Sequence, residues 1–126
     1  MTTLKEMVTL PNGQTVEAVF NPTKIGWTAP DVNVDGSPFT ADELGGWRMD
    51  VDGEQSVGIP IGWDDDRRYE FPIRELEAYQ QLPVDGSVHS VALRTVHKNG
   101  IASDPSNVVY IGRKAVPAAP LDFYAA

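Results

Sequence analysis

Apolar and polar residues alternate along this chain in short runs, each cut off by glycine, proline, asparagine or aspartate. Residues 4–10 and 15–20 alternate on either side of Pro11-Asn12-Gly13-Gln14. Asn-Gly there supplies the positive φ angles of a tight hairpin, so two paired strands are expected. Residues 23–28 follow Asn21-Pro22, with Ile25 and Trp27 on one face of a period-2 pattern. Residues 31–46 break the pattern and read as a long loop, with one helical turn where Thr40 precedes Asp42 and Glu43. Alternation resumes at 47–51, which sets Trp47, Met49 and Val51 on one side. Asp52-Gly53 then turns the chain into residues 56–61, where Pro60 restricts the run to a sheet edge. Residues 69–73, 88–96 and 107–111 complete the strands. The segment at 75–82, with Leu76 and Tyr79 three apart, is the one helix the pattern predicts.

Strands at this spacing without helical crossovers imply an all-β fold. The expectation is an antiparallel two-sheet β-sandwich with one short helical insert, and a small barrel is the alternative. A chain of 126 residues can bury about 68% of its unfolded surface, enough for one self-sufficient core. It has no cysteine, which excludes a disulfide scaffold, a thiol nucleophile and a Cys-ligated metal site. Ten basic against eighteen acidic side chains leave a net charge of −8, and neither half is net basic. Nucleic-acid binding, which needs a clustered basic face, is therefore not expected. No apolar run approaches the ~18 residues of a membrane span, and the first residues carry no signal-peptide pattern, so a soluble chain is expected.

Five motifs, in order, resemble parts of a bacterial or phage fibronectin type III domain. Ile25-Gly26-Trp27-Thr28-Ala29-Pro30, Val34-Asp35-Gly36-Ser37-Pro38 and Glu43-Leu44-Gly45-Gly46-Trp47 are similar to that family's B strand, BC loop and C-strand entry. Leu82-Pro83-Val84-Asp85-Gly86 and the run from Val91 to Asn107 resemble its E–F turn, F strand and F–G loop. The resemblance spans residues 15–112 and implies an immunoglobulin-like sandwich, with 1–14 as an N-terminal hairpin arm and 113–126 as a Pro/Ala-rich tail. Where the family keeps a corner tyrosine, this chain has His89.

Candidate chemistry is sparse. Asp31, Asn33 and Asp35, followed by Gly36 and then Asp42 at the twelfth position, fit most of a calcium-loop pattern. Aspartate stands where the bidentate glutamate belongs, and the competing reading is a plain Asp-Gly turn. Asp64-Asp65-Asp66-Arg67-Arg68 reads as a solvated turn with local ion pairing, because successive carboxylates on an extended backbone point to opposite faces. Trp27 and Trp47 are expected in the core. Trp63 falls outside the strand pattern, where an exposed ring suits a sugar or a protein partner. His89 and His97, eight residues apart on one strand, lie ~27 Å from one another and cannot share a metal. No nucleophile elbow or phosphate loop is present, so an enzyme is not expected.

The expected role is a structural or interaction module, with no cofactor beyond the calcium considered above. An acidic domain of this kind resembles the accessory proteins of tailed-phage particles. That implies a place on the virion surface, as a capsid decoration or tail accessory protein bound to a larger protein assembly. Leu121, Phe123 and Tyr124 are the expected anchors, with residues 4–10 as the other possibility. The competing roles are a carbohydrate-binding or host-adhesion module using Trp63, with a glycan as partner, and a spacer in a secreted, extracellular enzyme.

Overall fold

The computed structural model describes residues 2–126, apart from the side chains at positions 55 and 56. Its strands are β1 (Leu4–Thr9), β2 (Thr15–Phe20), β3 (Ile25–Thr28), β4 (Leu44–Val51), β5 (Glu54–Ile59), β6 (Arg68–Phe71), β7 (His89–His97) and β8 (Val109–Gly112). The fold is mostly β, as the alternation requires. Six strands form one sheet in the order β1-β2-β8-β7-β4-β5, and β3 pairs with β6 in a second. The Asn-Gly and Asp-Gly turns lie where expected: Gly13 has φ +87°, and Asp52 and Gly53 have φ +54° and +81° in a two-residue hairpin loop.

Not all pairing is antiparallel. β2 runs parallel to β8, Val19 beside Ile111, which makes the large sheet mixed. Antiparallel pairing was expected because no crossover helix separates the strands. Here the rest of the domain serves as the connection between the first strands and the last. The N-terminal arm is likewise integral, since β1 pairs with β2 over its whole length and forms one edge of the sheet. β5 forms the other edge and stops at Ile59, immediately before Pro60.

Side chains of both sheets meet in one cluster. Trp47 and Met49 of β4, Ile59 of β5, Val91 of β7 and Ile111 of β8 pack with Tyr69 of β6 and the half-buried Trp27 of β3. Trp27 stacks on Tyr69 with centroids 5.4 Å apart, and Trp47 contacts both rings, at 5.5 and 4.9 Å. Below them the predicted helix is two short turns, a 3-10 turn at Ile73–Glu75 and α1 (Glu77–Gln80). The i, i+3 pattern still does its job, burying Leu76, Tyr79 and Leu82 beside Ile73. Arg113 lies over the Tyr79 ring, 5.3 Å from its centroid, and its Nη1 donates to the carbonyls of Gln80 and Leu82. It satisfies acceptors that so short a helix leaves open.

Two sites of backbone crowding hold this arrangement. β4 begins three residues before the apolar alternation does, through a bulge at Gly45-Gly46. Gly46 has φ +149°, and a Cβ on Gly45 would stand 2.4 Å from the His97 carbonyl oxygen. Gly45→Ala therefore has to push β4 from β7, and a loss of at least about 2 kcal/mol is expected in urea unfolding. A change below about 0.5 kcal/mol would contradict this close approach.

The second is the passage between sheets, where Asn21 takes φ +54° and is fully buried. Its Nδ2 donates to the carbonyls of Thr2 and Lys114, and its Oδ1 accepts the Lys114 N–H. Its own N–H donates to Gly112, and its carbonyl accepts from Arg74 and Thr3. One residue thus ties the beginning of the chain, the exit from β8 and the 3-10 turn to the crossing. Arg113 and Lys114, assigned to the tail by composition, belong to the body. Residues 115–126 are exposed throughout, and none of their backbone groups bonds to another described residue.

Candidate functional site

Two loops meet at the end of the body away from Asn21. Residues 29–39 leave β3 and fold back on themselves through Asn33 N–H to Ser37 O, Gly36 N–H to Asn33 O, and Phe39 N–H to Asp31 O. Gly36 at φ +88° makes the reversal. The second loop follows β7. Gly100 turns it at φ +90°, after which Ser103 and Ser106 return along the strand. Their N–H groups donate to Thr95 and Leu93, and their hydroxyl oxygens accept the Thr95 and Leu93 N–H groups. These two hydroxyls stand in for backbone carbonyls where the chain is too irregular to pair as β8.

Between the loops lies an open groove of about 850 Å³. Thr28 and Pro30 line it from β3 and the first loop, and Leu93, Thr95 and Ser106 from β7 and the second. Its rim carries large apolar side chains that folding has left in water: Val32 is 52% exposed, Val34 fully so and Ile101 69%. Together they leave an apolar patch in water beside the groove. Alternation did not reveal it, because Val32 and Val34 sit in a polar loop; valine at alternate positions of an Asp/Asn/Gly segment was the available signal.

A polar network braces the groove. Asn33 Nδ2 donates to Glu43 Oε2 at 3.2 Å, and His97 Nε2 lies 3.2 Å from the same oxygen. The Asn33 amide holds the Glu43 carboxyl below its usual range; partial burial opposes this, while His97 and the Thr40 hydroxyl add to it. Ser37 does the same for Asp35, and Thr40 for Asp42. Folded values below the unfolded ones mean that these contributions are complete above the ordinary carboxylate range, about pH 4–5, and are lost as pH falls through the folded values. Wild-type protein and Glu43→Gln should therefore converge in melting temperature on going from about pH 7 to pH 3. A gap that stays constant across that range would contradict the network.

Arg67 holds the groove's other wall. It adopts φ +57°, uncommon for a side chain of its size. Its guanidinium donates to the carbonyls of Pro30 at 2.8 Å and Phe39 at 3.0 Å, and lies over the Trp63 ring, 4.7 Å from the centroid. The Asp-Arg run is thus only partly a solvated turn, since Asp64 Oδ1 accepts the Asp66 N–H while Arg67 turns inward. Trp63, expected to be exposed, is half-buried against the core and 6.1 Å from Phe39. Arg67 covers one face of the Trp63 ring.

The four residues of the calcium pattern turn to separate partners. Asp31 faces Arg67 at 3.8 Å, Asn33 points its nitrogen at Glu43, Asp35 accepts from the Ser37 N–H and hydroxyl, and Asp42 accepts from Thr40. Among the described residues no three His, Asp or Glu side chains are grouped as metal ligands would be. His89 and His97 are engaged apart, as their spacing implies.

Around His89 the hydrogen bonds have a familiar order. Nδ1 lies 2.8 Å from Asp52 Oδ2 and Nε2 3.0 Å from the Ser87 hydroxyl. The backbone N–H groups beside it are already hydrogen-bonded. The Ser87 N–H donates to Asp85, the Ser90 N–H to Asp52 and the Gly86 N–H to Arg113, and the groove does not reach this site. The chain ties the β4–β5 turn to the start of β7, where the resemblance places a corner tyrosine. A tyrosine hydroxyl does meet the backbone on β6, where Tyr69 Oη accepts the Asp64 N–H at 2.8 Å.

At the opposite end of the molecule Leu121, Phe123 and Tyr124 are 88%, 94% and 81% exposed. No helix among the described residues is long and apolar enough to cross a membrane. No family model, curated protein or solved structure matches this chain.

Proposed function

We propose that this chain is a non-catalytic structural and interaction module, an immunoglobulin-like sandwich of the fibronectin type III kind. It sits on a virion surface as a capsid decoration or tail accessory protein and docks onto the larger assembly through its C-terminal segment. The observation that carries the docking reading is the exposure of Leu121, Phe123 and Tyr124 on a segment that begins where the Asn21 bonds to Lys114 end. Large apolar side chains lose free energy by staying in water, and aromatic ones such as Phe123 and Tyr124 are enriched at protein interfaces. The sandwich reading is supported by the pairing of β3 with β6 and the adjacency of β8, β7 and β4. That division matches strands B and E against G, F and C in such domains. The phage setting rests on resemblance at the level of fold.

Co-sedimentation with purified phage particles tests the proposal, using the full chain and a variant ending at Lys114. The full chain should pellet with particles. The shortened chain should remain in the supernatant with its melting temperature unchanged within about 2 °C, a shift worth less than 1 kcal/mol in a domain this size. Pelleting of both forms would refute docking through the C-terminal segment.

A further inference from the structure

The second sheet has an unoccupied edge beside the groove. β3 pairs only with β6, and in an antiparallel pair alternate residues direct their N–H and C=O groups away from the partner strand. No backbone hydrogen bond joins those outward groups of β3 to another described residue. The groove is lined by Thr28 of β3 and by no residue of β6, so the edge that borders it is the unpaired one. Across the groove the large sheet continues past Leu93. Val109, opposite the buried Val91 and therefore on the same face, is 46% exposed. Beyond it on that face Val19 is half-buried and Met7 is 66% exposed. A strip about one strand wide is thus left uncovered, with free backbone donors and acceptors on one side and Leu93, Val109 and Val19 beneath, while Glu17 and Lys5 share that face farther out. Short length is the only protection this edge has, for it contains no proline and no bulge.

We propose that this edge takes up an added strand, and that the strand is the C-terminal segment of a second copy of the chain. This rests on the reading of that segment as a docking element and names its partner. Asp122 stands at φ +55° in the free segment, and once pairing draws it into extended backbone Leu121 and Phe123 point to one face, as a strand laid on Val109 and Leu93 requires, while Asp122 and Tyr124 point to the other. Asp122 is the only charged side chain from 115 to 126, whereas the groove carries Asp35, Glu43 and Asp104. An acidic peptide is repelled there, and a nearly neutral apolar one is admitted. The area suffices as well. Phe123 and Tyr124 bring about 150–250 Å² each. With Leu121, the backbone and the matching acceptor surface, one donated strand buries on the order of 1,000 Å², and a reciprocal pair about twice that, within the range of stable specific interfaces. Because each copy carries −8, association should strengthen as salt screens the repulsion.

The absence of cysteine makes the test direct. Full-length Thr28→Cys and full-length Asp122→Cys are mixed under mild oxidation and compared with each alone, since neighbouring strands bring Cβ atoms within disulfide reach. A mixed disulfide that dominates both same-variant products is the expected result. Light scattering on the unmodified chain should give at least twice the monomer mass. Phe123→Asp should return it to the monomer, and at dilutions where the unmodified chain is also monomeric the two should unfold at the same urea concentration. A monomeric full chain, or an oligomer that survives Phe123→Asp, would overturn the exchange. A monomer whose C-terminal amides resist hydrogen exchange would also overturn it, since the segment would then be closing on its own chain. Pelleting of the full chain but not the shortened one, without a mixed disulfide, would refute only the second copy as partner and leave the docking reading standing.

Discussion

Asn21→Ala is expected to cost about 3 kcal/mol of stability and to lower the melting temperature by roughly 10 °C. The substitution removes both Nδ2 donations and the acceptor for the Lys114 N–H, at a position with no contact to solvent. Backbone groups left buried without partners cost about 1–3 kcal/mol each. A further penalty comes from the backbone, because alanine tolerates φ +54° less well than asparagine does. The origin can be separated with two companions. Asn21→Gly relieves the backbone and should recover a minority of the loss. Asn21→Asp keeps an acceptor for Lys114 but turns a carboxylate toward two carbonyls, and should be no better than alanine. Urea unfolding distinguishes them; a loss below about 1 kcal/mol for alanine would mean that Asn21 does not hold the crossing.

Trp47→Ala should cost about 3–5 kcal/mol, a large part of the stability of a domain this size. Trp47 is 3% exposed and touches both Trp27 and Tyr69, so truncation opens a cavity between the two sheets that neither ring can fill without leaving the other. Trp47→Phe should cost under about 1.5 kcal/mol. The indole Nε1 is buried without a hydrogen-bond partner, so phenylalanine removes a donor that was already unsatisfied and keeps an aromatic face against Tyr69. A phenylalanine variant as damaged as the alanine one would show that the indole N–H contributes through a bond this geometry does not contain.

Much of the fold was legible because it follows from local rules. Asn12-Gly13 and Asp52-Gly53 set two hairpins, Pro60 confined its run to a sheet edge though the strand stops at Ile59 and not at residue 61, and alternation around Trp47 chose the buried face. What stayed hidden depends on contacts far apart in sequence. Nothing local in Thr15–Phe20 says that it will lie beside Val109–Gly112, because parallel pairing leaves no turn signal at either end. Asn21-Pro22 reads as punctuation, and only the return of Lys114 makes Asn21 a buried hub. Arg67 looked like one charge in a solvated run, but its carbonyl partners, Pro30 and Phe39, lie 37 and 28 residues away.

The site followed the same division. The exposure of Leu121, Phe123 and Tyr124 was legible, since they fall after two prolines, beyond the last run that alternates as a strand. The calcium pattern was legible as spacing but not as geometry: its side chains are consumed by Ser37, Thr40, Glu43 and Arg67, which shape the loop beside the groove. The groove itself could not be read from the chain. It exists because β2 joins the large sheet and leaves β3 with a single neighbour. A strand absent from one sheet is a property of topology, and no residue announces it.

The central claim is that the body closes at Lys114 and that the residues after it are free for a partner. Hydrogen–deuterium exchange, followed in dilute solution and again in the particle-bound fraction, tests it most directly. Amides of β2, β7 and β8 and the Lys114 N–H should be protected in both states, while those of residues 115–126 should exchange freely in dilute solution and become protected on the particle. Protection of residues 115–126 in the dilute monomer, or free exchange of those residues on the particle, would contradict the claim.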